Sequence, residues 1–458
     1  MNVKLTLLAA KMAAKLSQSL GRGGGGALPG VVAEMLDPHL SGKLAAGLRD
    51  GVIVVTGTNG KTTTTKLIGE MLSAQGMKVV TNSSGSNLKR GVTSALIAAA
   101  DMRGRLKATV GLFEVDEASL RLVAPEVKPT HIIVTNLFRD QLDRYGELDT
   151  TAKLIGEGIA ATSAELYLNA DDPLVASLAK YAQTPGDVHY FGIEGVPVNP
   201  VGTHLTATDS DRCPVCQTRL EFSRVFYGHL GHYRCPKGDF SRPVGEVVIT
   251  NVEEADRIGS RFVAAIKGKR STFNFPLPGT YNLYNALAAI SLGQGVGIGV
   301  DVIQQTLAVT QAAFGRVERV EIGGRTLVLL LIKNPAGFTQ VLQTFVIGRE
   351  AVRVMFVIND LAADGRDVSW LWDVPIEALA GSNPTVLTAG IRGADMALRL
   401  HYAGVESKAA ASLAEGIDAL VAATPAGETA YILPTYTAML EIRKLLKTRS
   451  KTMKEMPR

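Results

Sequence analysis

A glycine-rich loop between a short apolar strand and a helix constrains the fold more than any other feature of the chain. Residues 52–55 form an apolar run with β-type side chains, and residues 66–72 follow a helical pattern. The segment between them reads Gly-Thr-Asn-Gly-Lys-Thr-Thr at positions 57–63. Strand, glycine-rich turn and a Lys-Thr pair that opens a helix form the context in which phosphate-binding loops occur. The sequence therefore predicts a nucleotide-binding α/β domain.

Each residue of this loop has a predicted role in nucleotide binding. Backbone N–H groups beside the glycines would surround phosphate oxygens at the positively polarised N-terminus of the following helix. Lys61 would reach the outer phosphates, and Thr62 would place its hydroxyl on Mg²⁺. The predicted ATP-binding residues of the loop are Gly57, Thr58, Asn59, Gly60, Lys61, Thr62 and Thr63. The alternative is a glycine-rich strand-to-helix turn that binds no ligand.

The composition favours a cytoplasmic enzyme. A chain of 458 residues predicts two or three domains, and 46% hydrophobic with 20% charged residues is typical of α/β enzymes. The net charge of +5 is too small to indicate nucleic-acid binding. The 3 cysteines do not form a secreted disulfide framework. No apolar run reaches the roughly 18 residues that a membrane span needs.

The first residues of the chain predict a helix with one apolar face. That face comprises Leu5, Leu8, Met12, Leu16 and Leu20, and the lysines that lie mostly away from it are Lys4, Lys11 and Lys15. Either the apolar face packs on the first domain, or the helix is a basic amphipathic helix that contacts an anionic surface at the inner face of the membrane. The glycines at 23–26 predict a flexible linker after it.

Strand and helix patterns alternate through most of the chain. Strand-like runs at 52–56, 78–81, 109–115, 131–136 and 166–169 predict a mostly parallel sheet with helices on both faces. A second α/β block has strand-like runs at 326–332, 353–358, 386–388 and 431–433, with a helix at 409–422. The predicted division is an N-terminal helical segment and linker at 1–50, an ATP-binding α/β domain at 51–320 with an insertion at 205–244, and a C-terminal Rossmann-like α/β domain at 321–458.

The insertion contains every cysteine of the chain, namely Cys213, Cys216 and Cys235. Their spacing is that of a zinc ribbon, but a structural zinc site needs four ligands and Gly238 stands where a fourth cysteine would complete the pattern. His229 or His232 could provide the fourth ligand, and Asp239 is a poorer candidate. The alternative is a ribbon-shaped hairpin that binds no metal and is held by packing.

Polar residues follow several predicted strands and mark a functional edge of each sheet. Glu114 ends a strand in the same sheet as the phosphate loop, where a carboxylate typically holds Mg²⁺. Asn136 and Arg139 follow the next strand and are predicted to bind substrate. In the second block, Lys333 follows an apolar strand, and residues 359–370 form a loop rich in carboxylates.

These motifs resemble the Mur ligase family. The loop at 57–63 resembles its G-T-N-G-K-T-T motif, and Glu114 matches its Mg²⁺-binding glutamate. The segment from Tyr281 to Asn285 resembles its adenine-contacting H-N-x-x-N motif, with Tyr281 in place of His. By this resemblance Asn282 contacts adenine, and Arg316 of a Gly-Arg pair contacts ATP.

Other segments resemble a particular branch, the MurT family of Mur-ligase-like subunits of lipid II isoglutaminyl synthases. They are the cysteine insertion and residues 135–141, 333–337, 364–370 and 434–437, and the resemblance runs from about residue 4 to residue 446. Two positions depart from the pattern. Gly238 replaces a metal cysteine, and Leu361 stands where a polar residue is expected.

The resemblance implies an ATP-dependent amidation of lipid II or a related peptidoglycan precursor. ATP would activate the D-glutamate α-carboxyl of the stem peptide as an acyl phosphate, and ammonia from a GatD-type glutaminase subunit would give D-isoglutamine. Lys61 and Glu114 would assist phosphoryl transfer, Lys333 and Asn334 would bind substrate, and Asp367 would complete the partner's Cys–His pair. The positions of the cysteines agree with an external source of ammonia. No cysteine lies on a strand-to-helix nucleophile elbow, so the chain is not expected to hydrolyse glutamine by cysteine chemistry itself. The alternatives are a stand-alone amino-acid ligase of the Mur or folylpolyglutamate type and a non-catalytic ATP-binding scaffold.

Overall fold

Two mixed β-sheets, of nine and six strands, form the framework of the protein, and a two-stranded hairpin accompanies the first. The structure is a computed structural model and describes residues 3–19, 27–82, 86–140, 148–195, 209–256, 258–312, 317–381 and 384–449. Parts of the predicted segments therefore lie outside the described residues, namely the linker glycines at 23–26, residues 205–208 of the insertion, and Arg316.

The first sheet is parallel over seven strands and ends in two antiparallel strands. Its order is β11-β10-β9-β6-β5-β4-β1-β3-β2, and β7 pairs only with β8. The strands are β1 (Val52–Thr56), β2 (Val79–Thr81), β3 (Val110–Glu114), β4 (His131–Val134), β5 (Glu165–Asn169), β6 (Val188–Ile193), β7 (Glu221–Tyr227), β8 (Leu230–Arg234), β9 (Val247–Ala255), β10 (Ser260–Ile266) and β11 (Lys269–Phe275). Because β1 is central and parallel on both sides, both its faces are buried, which explains its uninterrupted apolar sequence.

Helices cover both faces of this sheet, as the alternation predicted. They are α1 (Val3–Ser19), α2 (Leu28–Leu36), α3 (Leu40–Ala45), α4 (Lys61–Ala74), α5 (Lys89–Ala99), α6 (Leu120–Val127), α7 (Leu148–Ala160), α8 (Pro173–Ser177), α9 (Thr280–Gly295) and α10 (Val300–Val309). Side chains alternate along a strand, so Ile53 joins the core under α4, α9 and α10, while Val54 joins the core under α1, α2, α3, α5, α6 and α7.

The second sheet has the order β12-β13-β17-β14-β15-β16 and is parallel except for β12. Its elements are β12 (Glu318–Ile322), β13 (Arg325–Leu329), α11 (Pro335–Phe345), β14 (Arg353–Val357), β15 (Thr385–Ala389), α12 (Gly393–Tyr402), β16 (Lys408–Ala409), α13 (Leu413–Ala423), β17 (Thr429–Pro434) and α14 (Tyr436–Arg449). The helix predicted at 409–422 begins later than expected. Ser412 caps α13 by accepting a hydrogen bond from the Glu415 amide at 3.2 Å, so the residues before it are free to form β16.

Helix α1 packs on the first sheet's helices, but not with the face that the sequence predicted. Its buried side chains are Thr6, Leu7 and Ala10, which face α2 and α5. The predicted packing face is exposed instead, at 60% for Leu5, 44% for Leu8, 56% for Met12 and 64% for Leu16. Small side chains allow the closer approach of helices, and this explains the choice of the alanine-rich face. Among the described residues, no helix combines the length and the apolar character that a bilayer crossing demands.

Candidate functional site

The phosphate loop follows β1, and its backbone geometry requires glycine at two positions. Gly57 and Gly60 have φ angles of +119° and +88°, a region that residues with a side chain rarely adopt. A Cβ on Gly60 would lie 2.0 Å from Asn285 Oδ1, and one on Gly57 would lie 2.4 Å from Thr135 Oγ1. The loop is therefore pressed against its neighbours, and the first turn of α4 begins directly after it at Lys61.

Lys61 is buried and remains a cation. Its Nζ donates to Gly57 O at 2.5 Å and lies 3.3 Å from Glu117 Oε2. Burial alone lowers the pKa of Lys61, but the carboxylates of Glu117 and Glu114 outweigh it and hold the pKa above its ordinary value. A fixed positive charge at this point suits the outer phosphates of a nucleotide. The sequence analysis assigned no role to Glu117. Its position three residues after Glu114, the predicted Mg²⁺ ligand, was the available signal.

Thr62 and Glu114 lie together at the end of β3. Thr62 Oγ1 donates to Glu114 Oε2 at 2.8 Å. Asn82 fixes the Glu114 backbone, because its amide nitrogen donates to Glu114 O at 2.7 Å and its oxygen accepts from Glu114 N at 2.9 Å. A hydroxyl and a carboxylate beside a phosphate loop are oxygen ligands of the kind that Mg²⁺ prefers. The two residues predicted to hold Mg²⁺ are thus adjacent.

Asn136, predicted to bind substrate, supports the phosphate loop. It is buried, its Oδ1 accepts from Asn59 N at 2.9 Å, and its Nδ2 donates to Asn59 O at 3.0 Å. Arg139, also predicted to bind substrate, is half-exposed and pairs through Nε with Asp209 Oδ1 at 3.0 Å. The geometry therefore assigns Asn136 to positioning the phosphate loop.

Helix α9 brings two asparagines against α4 and the loop. Asn282, the predicted adenine contact, is buried and donates to Pro278 O at 2.7 Å. Its Oδ1 accepts from Asn285 Nδ2 at 3.1 Å, and Asn285 Oδ1 in turn accepts from Thr64 Oγ1 at 3.4 Å. Asn285 thus connects Asn282 to α4, a role that depends on tertiary packing and was not predicted. Arg316, predicted from a Gly-Arg pair to contact ATP, lies outside the described residues.

The second sheet contacts the phosphate loop through the start of α11. Asn334 is buried, caps α11 by accepting from Gly337 N at 2.8 Å, and donates through Nδ2 to Asn59 Oδ1 at 3.0 Å. The neighbouring Lys333 pairs with Asp140 Oδ2. Asn334 therefore contacts the loop from the side of the second sheet, and Lys333 pairs with a residue of the first.

In the carboxylate-rich loop after β14, one aspartate is buried and another is exposed to solvent. Asp364 is buried and accepts from Thr437 N at 2.8 Å and from Thr437 Oγ1 at 2.5 Å. Asp367 is exposed, and its two oxygens accept from Ser369 N at 2.8 Å and Ser369 Oγ at 2.9 Å. Leu361, the position that departs from the family pattern, enters this network through its backbone: its amide donates to Asp364 Oδ2 at 3.2 Å, and its carbonyl accepts from the Asp364 amide at 2.8 Å.

The three cysteines come together in the ribbon, as their spacing predicted. The sulfur atoms of Cys213, Cys216 and Cys235 all lie within 4.8 Å of one another. Burial raises the pKa of Cys235, but hydrogen bonds from the backbone of Lys237 and Asp239 lower it below its ordinary value. Thiolates are the form that binds metal, so the sulfur cluster fits a tetrahedral ion with one position left for a further ligand.

Neither histidine supplies that fourth position, which corrects the prediction. The ring of His229 is buried against Phe138, with ring centroids 4.6 Å apart. His232 Nε2 lies 2.7 Å from Ile193 O. Asp239, the poorer candidate from the sequence, is the residue that approaches the thiols, with Oδ2 at 3.9 Å from Cys235 Sγ.

Hydrogen bonds connect the ribbon to the residues around the phosphate loop. Asn59 Nδ2 of the phosphate loop donates to Tyr227 OH at 3.4 Å. Buried Asp171 accepts from Arg242 Nε at 2.5 Å and from Tyr284 OH at 2.7 Å, and Tyr284 lies on α9. The insertion thus forms part of the wall of the site.

Comparison with known families finds two matches along the chain. Residues 55–233 match the Mur ligase middle domain, and residues 331–439 match the MurT ligase C-terminal family. The first match contains the phosphate loop, Glu114, Cys213 and Cys216 but ends before Cys235, and the second contains Lys333, Asn334 and Asp367.

Individual relatives are similar over most or all of the chain. The lipid II isoglutaminyl synthase (glutamine-hydrolyzing) subunit MurT of Streptococcus pneumoniae is 35% identical and covers 100% of both chains. The protein of the same description from Staphylococcus aureus is 33% identical over 87% of both chains. Among solved structures, a pseudomurein peptide ligase type C from Methanothermus fervidus has a TM-score of 0.69 at 22% identity, covering 88% of this chain and 79% of its own. A MurF ligase from Thermotoga maritima has a TM-score of 0.62 at 13% identity, covering 92% and 84%.

Proposed function

The chain belongs to the MurT family of Mur ligases, and from this membership we propose that it amidates the D-glutamate α-carboxyl of the lipid II stem peptide to D-isoglutamine. The membership confirms the resemblance and the α/β fold predicted from the sequence, and it makes the chain an ATP-dependent ligase. The amidated precursor, the acyl phosphate and the source of ammonia are parts of the proposal.

In the proposed reaction, an oxygen of the substrate carboxylate attacks the γ-phosphorus of ATP, and ADP leaves. Ammonia then attacks the acyl carbon, loses a proton and displaces inorganic phosphate. The product is the amide. Lys61 would neutralise charge on the transferring phosphoryl group, largely by position and electrostatics. Thr62 and Glu114 would hold Mg²⁺, which would supply positive charge for phosphoryl transfer. The observation that carries the proposal is the placement of these three side chains beside the phosphate loop, which Asn334 of the second α/β block contacts.

The ammonia would come from a GatD-type glutaminase subunit. All three thiols of this chain are in the ribbon, packed beside one another, so none stands ready to attack glutamine. Asp367 is exposed on a loop that buried Asp364 anchors. We assign Asp367 to the partner's active site, where a carboxylate fixes the tautomer of a catalytic histidine and stabilises its imidazolium form.

A zinc ion in the ribbon is a further part of the proposal. The ligands would be Cys213, Cys216 and Cys235, with Asp239 in place of the histidines predicted earlier. A carboxylate oxygen is an ordinary zinc ligand. We also retain the division into an N-terminal segment at 1–50 and α/β domains at 51–320 and 321–458. The two separate sheets support two α/β domains, although the first strand of the second sheet, β12, already begins at Glu318.

The test is amidation of lipid II by the purified chain with Mg²⁺ and ATP, supplied with ammonium salt alone or with glutamine and the co-expressed glutaminase. We expect ammonium to work without the partner and glutamine to work only with it. Asp367→Asn should lose the glutamine-driven reaction by about 10²-fold or more while keeping the ammonium-driven one. Asp373→Asn, which removes an exposed carboxylate from the same loop, is the matched control.

Two outcomes would replace the proposal. Incorporation of a free amino acid in place of ammonia would identify a stand-alone ligase. Unchanged activity after Lys61→Ala and Glu114→Ala would identify a scaffold that does not use its ATP site.

A further inference from the structure

Helix α1 exposes an apolar stripe on the side opposite to its packed face. The residues Leu5, Leu8, Met12 and Leu16 follow one another at intervals of three and four, which places them on one side of a helix with about 3.6 residues per turn. Thr6, Leu7 and Ala10 point the other way, into the core. Each stripe residue is between 44% and 64% exposed, so the stripe is not part of the folded interior.

Lysines flank this stripe along one side. Lys4 and Lys15 are exposed, and at about 100° per residue they lie next to Leu8 on the helix surface. Lys11 lies further round, where its Nζ donates to Ala100 O at the edge of the packed face. The helix contains no acidic residue.

The neighbouring helix also exposes apolar side chains. Helix α2 packs directly against α1. It exposes Met35 at 80%, Leu28 at 41% and Leu36 at 40%. Its only acidic residue, Glu34, accepts from Thr93 Oγ1 at 3.1 Å on α5.

We propose that α1 docks the protein on the surface of an anionic lipid bilayer, lying in the plane of the interface. A stripe of large apolar side chains bordered by lysines, without acidic residues, is the pattern of interfacial helices that combine apolar burial with attraction to anionic headgroups. Protein interfaces are depleted in lysine, so the charge on this face favours lipid over a protein partner. The surface is separate from the ATP cleft, and the inference does not depend on the proposed reaction.

The test is flotation of the full-length chain with vesicles of phosphatidylcholine containing phosphatidylglycerol, and with vesicles of phosphatidylcholine alone. The wild type should bind the anionic vesicles and should bind them less at high salt. The double variant Leu8→Gln, Met12→Gln should bind about tenfold or more weakly, because it removes apolar area without adding charge. Val309→Gln, which changes an apolar side chain 78% exposed on α10, is the matched control and should bind like the wild type.

A second variant, Lys4→Gln with Lys15→Gln, keeps the apolar stripe and should lose the preference for anionic vesicles. Thermal melting confirms that each variant is folded. The proposal is wrong if the wild type does not bind anionic vesicles, or if the stripe variants bind as well as the wild type. It is also overturned if light scattering shows a dimer that depends on Leu8 and Met12, since a second copy would then cover the stripe.

Discussion

Asn334 Nδ2 lies 3.0 Å from Asn59 Oδ1, so the first residue before α11 touches the middle of the phosphate loop. The same Asn334 side chain caps α11 through its oxygen, which accepts from Gly337 N at 2.8 Å. One amide group thus fixes the start of a helix in the second sheet and the loop of the first. The relative position of the two sheets and the shape of the phosphate site are therefore coupled through Asn334.

The first prediction concerns this contact. Asn334→Ala should reduce kcat/KM for ammonium-driven amidation by about 10–100-fold, because misplaced phosphate contacts weaken transition-state binding. It should also reduce the free energy of unfolding by about 1 kcal/mol through loss of the helix cap. Ser412→Ala removes the cap of α13, which belongs to the second sheet, and is the matched control. Equal activity of the two variants, measured in the same assay, would show that the Asn59 contact is irrelevant.

The second prediction concerns the buried pair of Lys61 and Glu117. Without nucleotide, Glu117→Gln removes a carboxylate partner from a buried cation and should reduce the free energy of unfolding by about 3 kcal/mol. Phosphate oxygens replace that partner when ATP binds, so Mg²⁺-ATP should raise the melting temperature of Glu117→Gln more than that of the wild type. Glu114→Gln, by contrast, should reduce the Mg²⁺-dependent part of the rise. Equal melting shifts for the wild type and Glu117→Gln would contradict this role for Glu117.

The raised pKa of Lys61 adds a pH dependence to this prediction. Burial opposes the charge on Lys61, but Glu117 and Glu114 raise its pKa above the ordinary 10.5. The contribution of the Lys61 charge is therefore fully present below the ordinary lysine pKa and is lost as the pH rises through the raised one. Burial also raises the pKa of Glu117, so the ion pair is lost as well when the pH falls through that raised value. The destabilisation by Glu117→Gln should then be constant between about pH 7 and pH 9, as measured by denaturant unfolding.

The sequence predicted those parts of the site that local patterns determine. The path from β1 through the loop into α4 depends on glycines, an apolar strand and a helix start within a short stretch of chain, and the structure places Gly57, Gly60 and Lys61 accordingly. Glu114 was predictable because it ends a strand of the same parallel sheet. Strand bounds differed by one to three residues, since the last residues of a strand depend on their neighbours in space.

The sequence did not predict contacts between side chains that are distant in sequence. Asn136 was read as a substrate residue, but the closeness of β1 and β4 turns its amide towards Asn59. His229 was a candidate ligand by spacing, yet the β7–β8 hairpin directs its ring into the core against Phe138. The exposed stripe of α1 was read as its packing face because apolar residues are the usual signal for burial. Here Leu7 and the small residues beside it provide the closer contact.

The third prediction concerns docking of the proposed glutaminase near Asp367. Trp372 follows in the same loop and is 51% exposed, and its ring packs against Tyr402 with centroids 5.6 Å apart. Exposed aromatic side chains on a rigid support often dominate the affinity of an interface. Tyr402→Ser should weaken association with the partner by about 10–30-fold in titration calorimetry and should leave ammonium-driven amidation unchanged.

Leu122→Ser is the matched control for that variant, because Leu122 is 54% exposed on α6 beneath the first sheet. It should leave the affinity unchanged. If Tyr402→Ser associates as tightly as Leu122→Ser, the partner does not use the aromatic surface and Asp367 must be reached from another direction.

The last prediction concerns zinc. Cys213→Ser and Asp239→Ala should each lower the zinc content of the purified chain, measured by mass spectrometry, and should lower its melting temperature, because structural zinc contributes directly to folding. Asp239→Cys should bind zinc more tightly in competition with a chelator. Gly238→Cys should gain less, although it restores the fourth cysteine of the motif, because Gly238 has a φ of +81° that a side chain disfavours. His232→Gln is the control and should retain the metal, since its ring meets Ile193 O instead. Loss of zinc from His232→Gln but not from Asp239→Ala would reverse the ligand assignment.

Whichever residue is the fourth ligand, removing the metal should also weaken ATP binding, because Tyr227 of the ribbon accepts a hydrogen bond from Asn59 in the phosphate loop.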